Sequence, residues 1–246
     1  MRCGRMLFCF DFDGTLSDIV KNPDKAQPVK NGEKSVERLA ALKGCIVCVI
    51  SGRRIYDLKK RFKVKNIIYC GNHGAEIQGR GISYRFRLDE AYKKSVKCAS
   101  FLVWGALKKI PGFIKENKGY VTAFHYRNVS APDRLKVERW FRNFADAGNS
   151  MIRIRKGNKV FEILPAIFTG KAQAIRLIAE KEQIPEQGVF FAGDDTTDIE
   201  AFKELGKKTV KVFIGRKTVT AADMLLKSPQ ELVLLLEIMM DLMKEG

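Results

Sequence analysis

Met6-Leu7-Phe8-Cys9-Phe10-Asp11-Phe12-Asp13-Gly14-Thr15-Leu16 is the stretch on which the fold turns. Its first five residues are all apolar. So short a run, without polar alternation, suits a strand buried on both faces. Two carboxylates at i and i+2 then stand at its carboxyl end, where open α/β sheets place their ligands. Gly14 lets the chain turn sharply there. Paired hard oxygen ligands suit Mg²⁺, which keeps several waters and binds beside phosphate. An aspartate can also act as a nucleophile and form an aspartyl-phosphate. Taken alone, Asp-Gly marks no more than a turn.

The pattern repeats outward from that strand. Lys34–Leu42 carries Val36, Leu39, Ala40 and Leu42 at helical spacing, and Cys45–Ile50 is a second apolar strand. A helix over Ile55–Phe62 and a strand over Ile67–Cys70 follow. Near the other end come a helix over Lys171–Lys181, a strand over Val189–Ala192, a helix over Thr197–Leu205 and a strand over Val210–Ile214. A last helix over Pro229–Met243 has Ser228 as N-cap and Pro229 at its first position. Apolar strands separated by helices predict a parallel sheet covered on both faces.

The middle differs. Gly79-Arg80-Gly81 reads as a hairpin turn between Ala75–Gln78 and Ile82–Phe86. Asp89–Leu107 and Pro132–Phe144 read as helices, the second with Leu135, Val137, Trp140, Phe141 and Phe144 inward. Tyr120–Arg127 reads as a strand, and Met151–Arg155 with Lys159–Leu164 as a hairpin around Gly157-Asn158. Hairpin-paired strands with helices make an α+β layer. The expected class is therefore α/β, a Rossmann-like parallel-sheet core over residues 1–79 and 166–246 with an α+β domain inserted over residues 80–165. A hinge is expected near Gln78–Ile82 and Pro165–Lys171, where the insert leaves and rejoins.

Each core strand delivers polar groups to one edge. The second ends in Ser51-Gly52-Arg53, where the hydroxyl can hydrogen-bond a phosphate oxygen and the guanidinium can pair with an anion. Ser51 can equally cap the next helix. The third ends in Gly71-Asn72-His73-Gly74, so Asn72 and His73 join the candidate substrate contacts. Lys171 opens a helix, where a cation can neutralise a transferring phosphoryl group. The fourth strand ends in Gly193-Asp194-Asp195-Thr196-Thr197-Asp198. Carboxylates favour a helix N-terminus, but capping accounts for one acid more readily than for three.

Composition sets wider bounds. The longest unbroken apolar run is Cys45–Ile50, six residues, against about 20 for a membrane-spanning helix. Met6–Phe10 is also too short for a signal-peptide core. A cytoplasmic location and no membrane partner are expected. The Cys45-x-x-Cys48 pair lacks the second pair or nearby His that zinc would need, and reads as two core residues. The net charge of +17 admits nucleic acid or acidic membranes. The lysines and arginines are scattered, which favours attraction of anionic substrates over nucleic-acid binding. A monomer is the simplest expectation.

In this order D-x-D-G-T, S-G-R, a lysine and G-D-D-x-x-D resemble the haloacid dehalogenase superfamily of phosphatases. The resemblance implies that Asp11 attacks phosphorus and that Asp13 protonates the leaving group, then activates water. Ser51 and Lys171 would hold the phosphoryl oxygens. Mg²⁺ would be bound by Asp11, the Asp13 main-chain carbonyl and Asp194, with Asp198 or Asp195 positioning its waters. Further segments narrow the family: Ile19-Val20, Asn22-Pro23-Asp24, Gly71-Asn72-His73-Gly74 with Glu76, Glu116-Asn117-Lys118-Gly119, His125-Tyr126-Arg127 and Phe161-Glu162-Ile163-Leu164-Pro165. The series is similar to the trehalose-6-phosphate phosphatases. It implies a phosphorylated disaccharide as substrate and an insert that caps the sugar, with Glu116, Lys118, His125, Arg127 and Glu162 as its contacts. His125 and Arg127 alternate on one strand face, which a solvated face would also show. Ile199, Ala172, Asp18 and Asn117 depart from the common family pattern without removing a catalytic group. Sucrose, mannosylglycerate and glucosylglycerate phosphates stand as alternative substrates. A catalytically idle basic domain that binds nucleic acid is the alternative from another class.

Overall fold

The computed structural model describes residues 4–20, 22–167 and 170–245. The chain divides into two compact units, residues 1–85 with 170–246 and residues 86–169.

The first unit is built on an eight-stranded sheet. Its strands are β1 (Met6–Asp11), β2 (Cys45–Ile50), β3 (Ile68–Gly71), β4 (Glu76–Gly79), β5 (Ile82–Arg85), β10 (Val189–Gly193), β11 (Val210–Ile214) and β12 (Met224–Leu226). They lie in the order β12-β11-β10-β1-β2-β3-β4-β5. Pairing is parallel from β12 to β3 and antiparallel from β3 to β5. The central strands are apolar throughout because both faces are covered. Phe8, Phe10, Val47, Val49 and Phe190 pack with α1 (Gly32–Ala41), α2 (Ile55–Arg61) and α7 (Pro229–Glu245) through Val36, Leu39, Leu58, Leu232 and Leu236. Leu7, Cys9, Ile46, Cys48 and Phe191 pack with α5 (Lys171–Lys181) and α6 (Thr196–Glu204) through Ile175, Ile178 and Phe202. Cys45 and Cys48 are both buried, as a reading of them as core residues requires. Glu231 N–H donates to Ser228 Oγ at 3.3 Å, so Ser228 does cap α7.

The second unit carries β6 (Ile114–Asn117), β7 (Thr122–His125), β8 (Ile152–Gly157) and β9 (Val160–Pro165) in the antiparallel order β6-β7-β9-β8. Helices α3 (Glu90–Leu107) and α4 (Ala131–Asp146) cover it. Val96, Val103, Val137 and Phe141 pack there against Phe124, Phe161 and Ile163.

Three sequence expectations need correction. The insert was expected to begin at residue 80, yet β5 pairs with β4 and extends the first unit's sheet, so the units part after Arg85. Leu135 was expected inward; it is 66% exposed, because Val137 and Phe141 already fill the buried side of α4. The strand expected over Tyr120–Arg127 ends at His125, which leaves Arg127 outside it. Of the second expected hinge, residues 168–169 lie outside the described residues. No described helix is long and apolar enough to cross a membrane.

Candidate active site

Register brings the expected groups of the first unit together. Asp11 is the last residue of β1 and lies opposite Ile50, the last of β2, so Ser51 follows beside it. Phe10 lies opposite Ala192 on β10, which places Asp194 beyond the same edge. Lys171, first residue of α5, is 4% exposed and reaches into this edge. Its Nζ donates to Asp11 Oδ1 at 2.6 Å and to Asp198 Oδ1 at 2.7 Å. The other Asp198 oxygen accepts the main-chain N–H groups of Asp194 and Asp195, each at 3.1 Å. Asp195 caps α6 in turn, its Oδ1 accepting from Thr197 N at 2.7 Å and Asp198 N at 3.1 Å. The three acids after β10 thus divide their work. Asp195 holds the helix end, Asp198 ties that end to Lys171, and Asp194 stands toward Asp11.

Asp11, Asp194 and Asp198 each offer an oxygen within 4.8 Å of the others. Burial raises the Asp11 carboxyl well above its ordinary value; Asp198 and Asp194 push the same way, against Lys171. Asp194 is pushed up to about 8 by burial and by the charges of Asp198 and Asp195. Asp198 is pushed up to about 6, burial again leading. Partial dehydration opposes ionisation of Asp195 too, but Lys171 and the Thr197 hydrogen bond outweigh it and hold that carboxyl at about 2. Lys171 stays charged because Asp11 and Asp198 overcome its own burial. Such acids crowd together at a cost that a hard divalent cation would remove, so the donor set fits one. Gly14 serves the same geometry. At φ 93° it lies so close to Asp194 that a Cβ would overlap that carboxylate.

Asp13 stands apart from this cluster. Its carboxylate receives a guanidinium fork, Arg53 Nε on Oδ2 at 2.8 Å and Nη2 on Oδ1 at 2.6 Å. Arg53 Nη1 donates to Asp57 Oδ2 at 2.8 Å, and Arg61 Nε donates to Asp57 as well. Arg53, expected as an anion contact, is therefore engaged by two acids in this state. Ser51 Oγ accepts from Arg53 N at 3.1 Å and lies 3.5 Å from Asp13 Oδ2. Asn72 and His73 are buried, both at positive φ, and stitch the strand ends together. Asn72 N donates to Arg53 O at 2.7 Å and His73 N to Ser51 O at 2.9 Å. Asn72 Oδ1 has no hydrogen-bond partner among the described residues.

In the second unit, four of the five expected sugar contacts meet on one sheet face. His125 Nε2 lies 2.8 Å from Glu116 Oε2. Lys118 Nζ lies 3.8 Å from Glu116 Oε2 and 3.4 Å from Glu162 Oε1. The His125 hydrogen bond holds the Glu116 carboxyl below the usual range. Arg127, the fifth, is exposed and donates to Asn158 O at 3.4 Å. Sequence reasoning missed Arg155, which pairs with Glu162. It also missed Asp57 and Arg61, which sit one helical turn apart on α2.

A trehalose-phosphatase family profile matches residues 9–228. The chain belongs to this family. It is 37% identical over 198 residues to the trehalose-phosphate phosphatase of Mycobacterium avium, a match covering 78% of this chain and 49% of that protein. It is 31% identical over 230 residues to that of Mycobacterium ulcerans, covering 89% and 57%. The chain thus spans about half the length of the curated relatives it matches. The C-terminal domain of a Candida albicans trehalose-6-phosphate phosphatase superposes with a TM-score of 0.78 at 22% identity, over 96% of this chain and 92% of that one. An Aspergillus fumigatus trehalose-6-phosphate phosphatase superposes at 0.69 with 25% identity, over 96% and 93%. These folds agree with the sheet described above, as expected for a family built on a Rossmann-like core.

Proposed function

We propose that this chain is a Mg²⁺-dependent phosphatase that hydrolyses trehalose 6-phosphate to trehalose and phosphate through an aspartyl-phosphate on Asp11. The observation that carries the reading is the buried Asp11 carboxylate, tied to Lys171 and within one cation's reach of Asp194 and Asp198. Family membership supports the substrate class. Asp11, Asp194 and Asp198 with the Asp13 main chain would hold the ion, which supplies positive charge to the phosphoryl oxygens and helps keep Asp11 ionised.

The chain's own residues do the rest. An Asp11 oxygen attacks phosphorus while the bond from phosphorus to the sugar oxygen breaks. Asp13 gives that oxygen a proton as it leaves. Asp13 then takes a proton from a water whose oxygen attacks the aspartyl-phosphate, and the Asp11–phosphorus bond breaks to return the carboxylate. Ser51 and Lys171 bind the phosphoryl oxygens, Lys171 offsetting the charge spread over them. Acid catalysis requires Asp13 to leave at least one arm of the Arg53 fork, so Arg53 can turn that arm to the phosphate only as Asp13 turns to its task. The second unit acts as a cap, and its polar sheet face selects the sugar by hydrogen bonds that an apolar or smaller ester cannot return.

A screen of phosphate release over phosphorylated mono- and disaccharides, with and without Mg²⁺, tests this. Trehalose 6-phosphate is expected to give the highest kcat/KM. Preference for sucrose 6-phosphate or glucose 6-phosphate overturns the substrate and leaves the phosphatase standing. Activity undiminished in chelator overturns the metal.

A further inference from the structure

The sheet face of the second unit opposite its aromatic core carries a row in register: Glu116 on β6, Ala123 on β7, Glu162 on β9 and Arg155 on β8. Ala123, fully buried, adds no polar group, so the row sets a carboxylate on either side of it, and the Lys118 ammonium lies near both. Arg155 ends the row. Its Nε and Nη2 donate to Glu162 Oε2 at 2.9 and 2.6 Å. Both residues are 6% exposed.

A buried guanidinium and carboxylate need a reason. Two apolar side chains would hold β8 to β9 as well or better, because removing both charges from water consumes much of what their attraction returns. The pair does what an apolar pair cannot. Both donors land on Oε2, which fixes the carboxylate plane and turns Oε1 toward Lys118. We infer that Arg155 is a positioning residue. It holds Glu162 in the orientation in which Glu162, with Lys118 and Glu116, meets the sugar hydroxyls of a phosphorylated disaccharide. This rests on the sugar-phosphatase reading above.

The test compares trehalose 6-phosphate with p-nitrophenyl phosphate, which has no sugar. The variants are Arg155→Met, Arg155→Lys, Glu162→Gln and the double Arg155→Met/Glu162→Gln, each checked for wild-type circular dichroism. In Arg155→Met the ratio of the two kcat/KM values should fall about 10- to 100-fold, the scale of a lost charge-assisted hydrogen bond. The loss should lie mainly in KM for the sugar phosphate. Arg155→Lys, which keeps the charge but not the fork, should recover part of it. The double variant should lose no more than Glu162→Gln alone, because Arg155 acts only through that carboxylate. An unchanged ratio in Arg155→Met, parallel loss on both esters, or full additivity in the double variant overturns the inference. Wild-type protein that does not favour the sugar phosphate overturns the underlying reading, and is seen before any variant is made. Should Arg155→Met fail to fold, Arg155→Lys carries the test alone, and an unchanged ratio there overturns it.

Discussion

In metal-free protein, protons should sit where a divalent cation belongs, so the cation's affinity should climb with pH. Asp194 is pushed from 3.8 up to about 8 by burial and the charges of Asp198 and Asp195, and Asp198 up to about 6 by burial and the charge of Asp195. An acid whose folded pKa is raised binds more protons folded than unfolded. Without metal, stability should therefore fall as pH rises between about 4 and 8. Bound metal reverses this, since it needs the carboxylates ionised. At pH 6, Asp194 is about 1% ionised and Asp198 about half; at pH 8, Asp194 is about half ionised and Asp198 nearly fully. From Asp194 and Asp198 alone, Mg²⁺ affinity should thus rise about 100-fold across those two units, about 2.7 kcal/mol, and the raised Asp11 carboxyl can only add to it. At a fixed Mg²⁺ concentration above Kd at both pH values, that difference should enlarge the Mg²⁺-dependent gain in Tm by about 5–11 °C. Isothermal titration at pH 7 in two buffers of different ionisation enthalpy should report release of at least about one proton, the Asp194 proton together with any held by Asp11. Equal affinity at pH 6 and pH 8 together with no proton release would refute the reasoning, because the crowded acids would then already be ionised and no cation site would have been priming.

Asp11→Asn should leave the protein folded, with a chelator-state Tm at or above wild type, since burial and neighbouring acids disfavour its charge more than Lys171 favours it; phosphate release should drop by at least about 10⁴-fold, and near-normal turnover sinks the nucleophile. Asp13→Asn should cost about 10²–10⁴-fold, the range of a general acid, and a smaller loss assigns proton transfer elsewhere. Gly14→Ala should weaken Mg²⁺ binding more than it weakens folding, because the new Cβ meets the Asp194 carboxylate; an unchanged Mg²⁺ titration would show that Asp194 does not hold the ion.

The two halves of the chemistry differ in how far the sequence discloses them. Every group of the proposed phosphoryl site follows a buried strand or opens a helix. Asp11, Ser51 and Asp194 are each the first polar residues after an apolar run, and a parallel sheet must bring such ends to one edge. What the sequence did not disclose there is the Arg53 fork. A guanidinium two residues past a strand end can face an anion or a neighbouring acid, and only the positions of Asp13 and Asp57 decide between them. Likewise nothing local says which of three adjacent acids caps α6; that depends on Lys171 claiming Asp198 from 27 residues away.

The proposed sugar face depends on cross-strand register, which short strands encode weakly. β6 was not foreseen because Ile114-Lys115-Glu116-Asn117 is exposed throughout and carries no apolar alternation. Arg155 depended on the exact place of one turn. The two-residue turn lies at Asn158-Lys159, one residue beyond the expected Gly157-Asn158, so Gly157 pairs with Val160 and counting back along both strands sets 155 opposite 162. Ile152 and Ile154 take the core side, so Arg153 and Arg155 must take the other, the side that holds Glu162. A charged residue opposite its counter-charge, on the face that a sheet does not use for its core, is a stronger pointer than either residue alone. Register converts two scattered charges into a pair, and the burial of that pair then demands an explanation that stability does not supply.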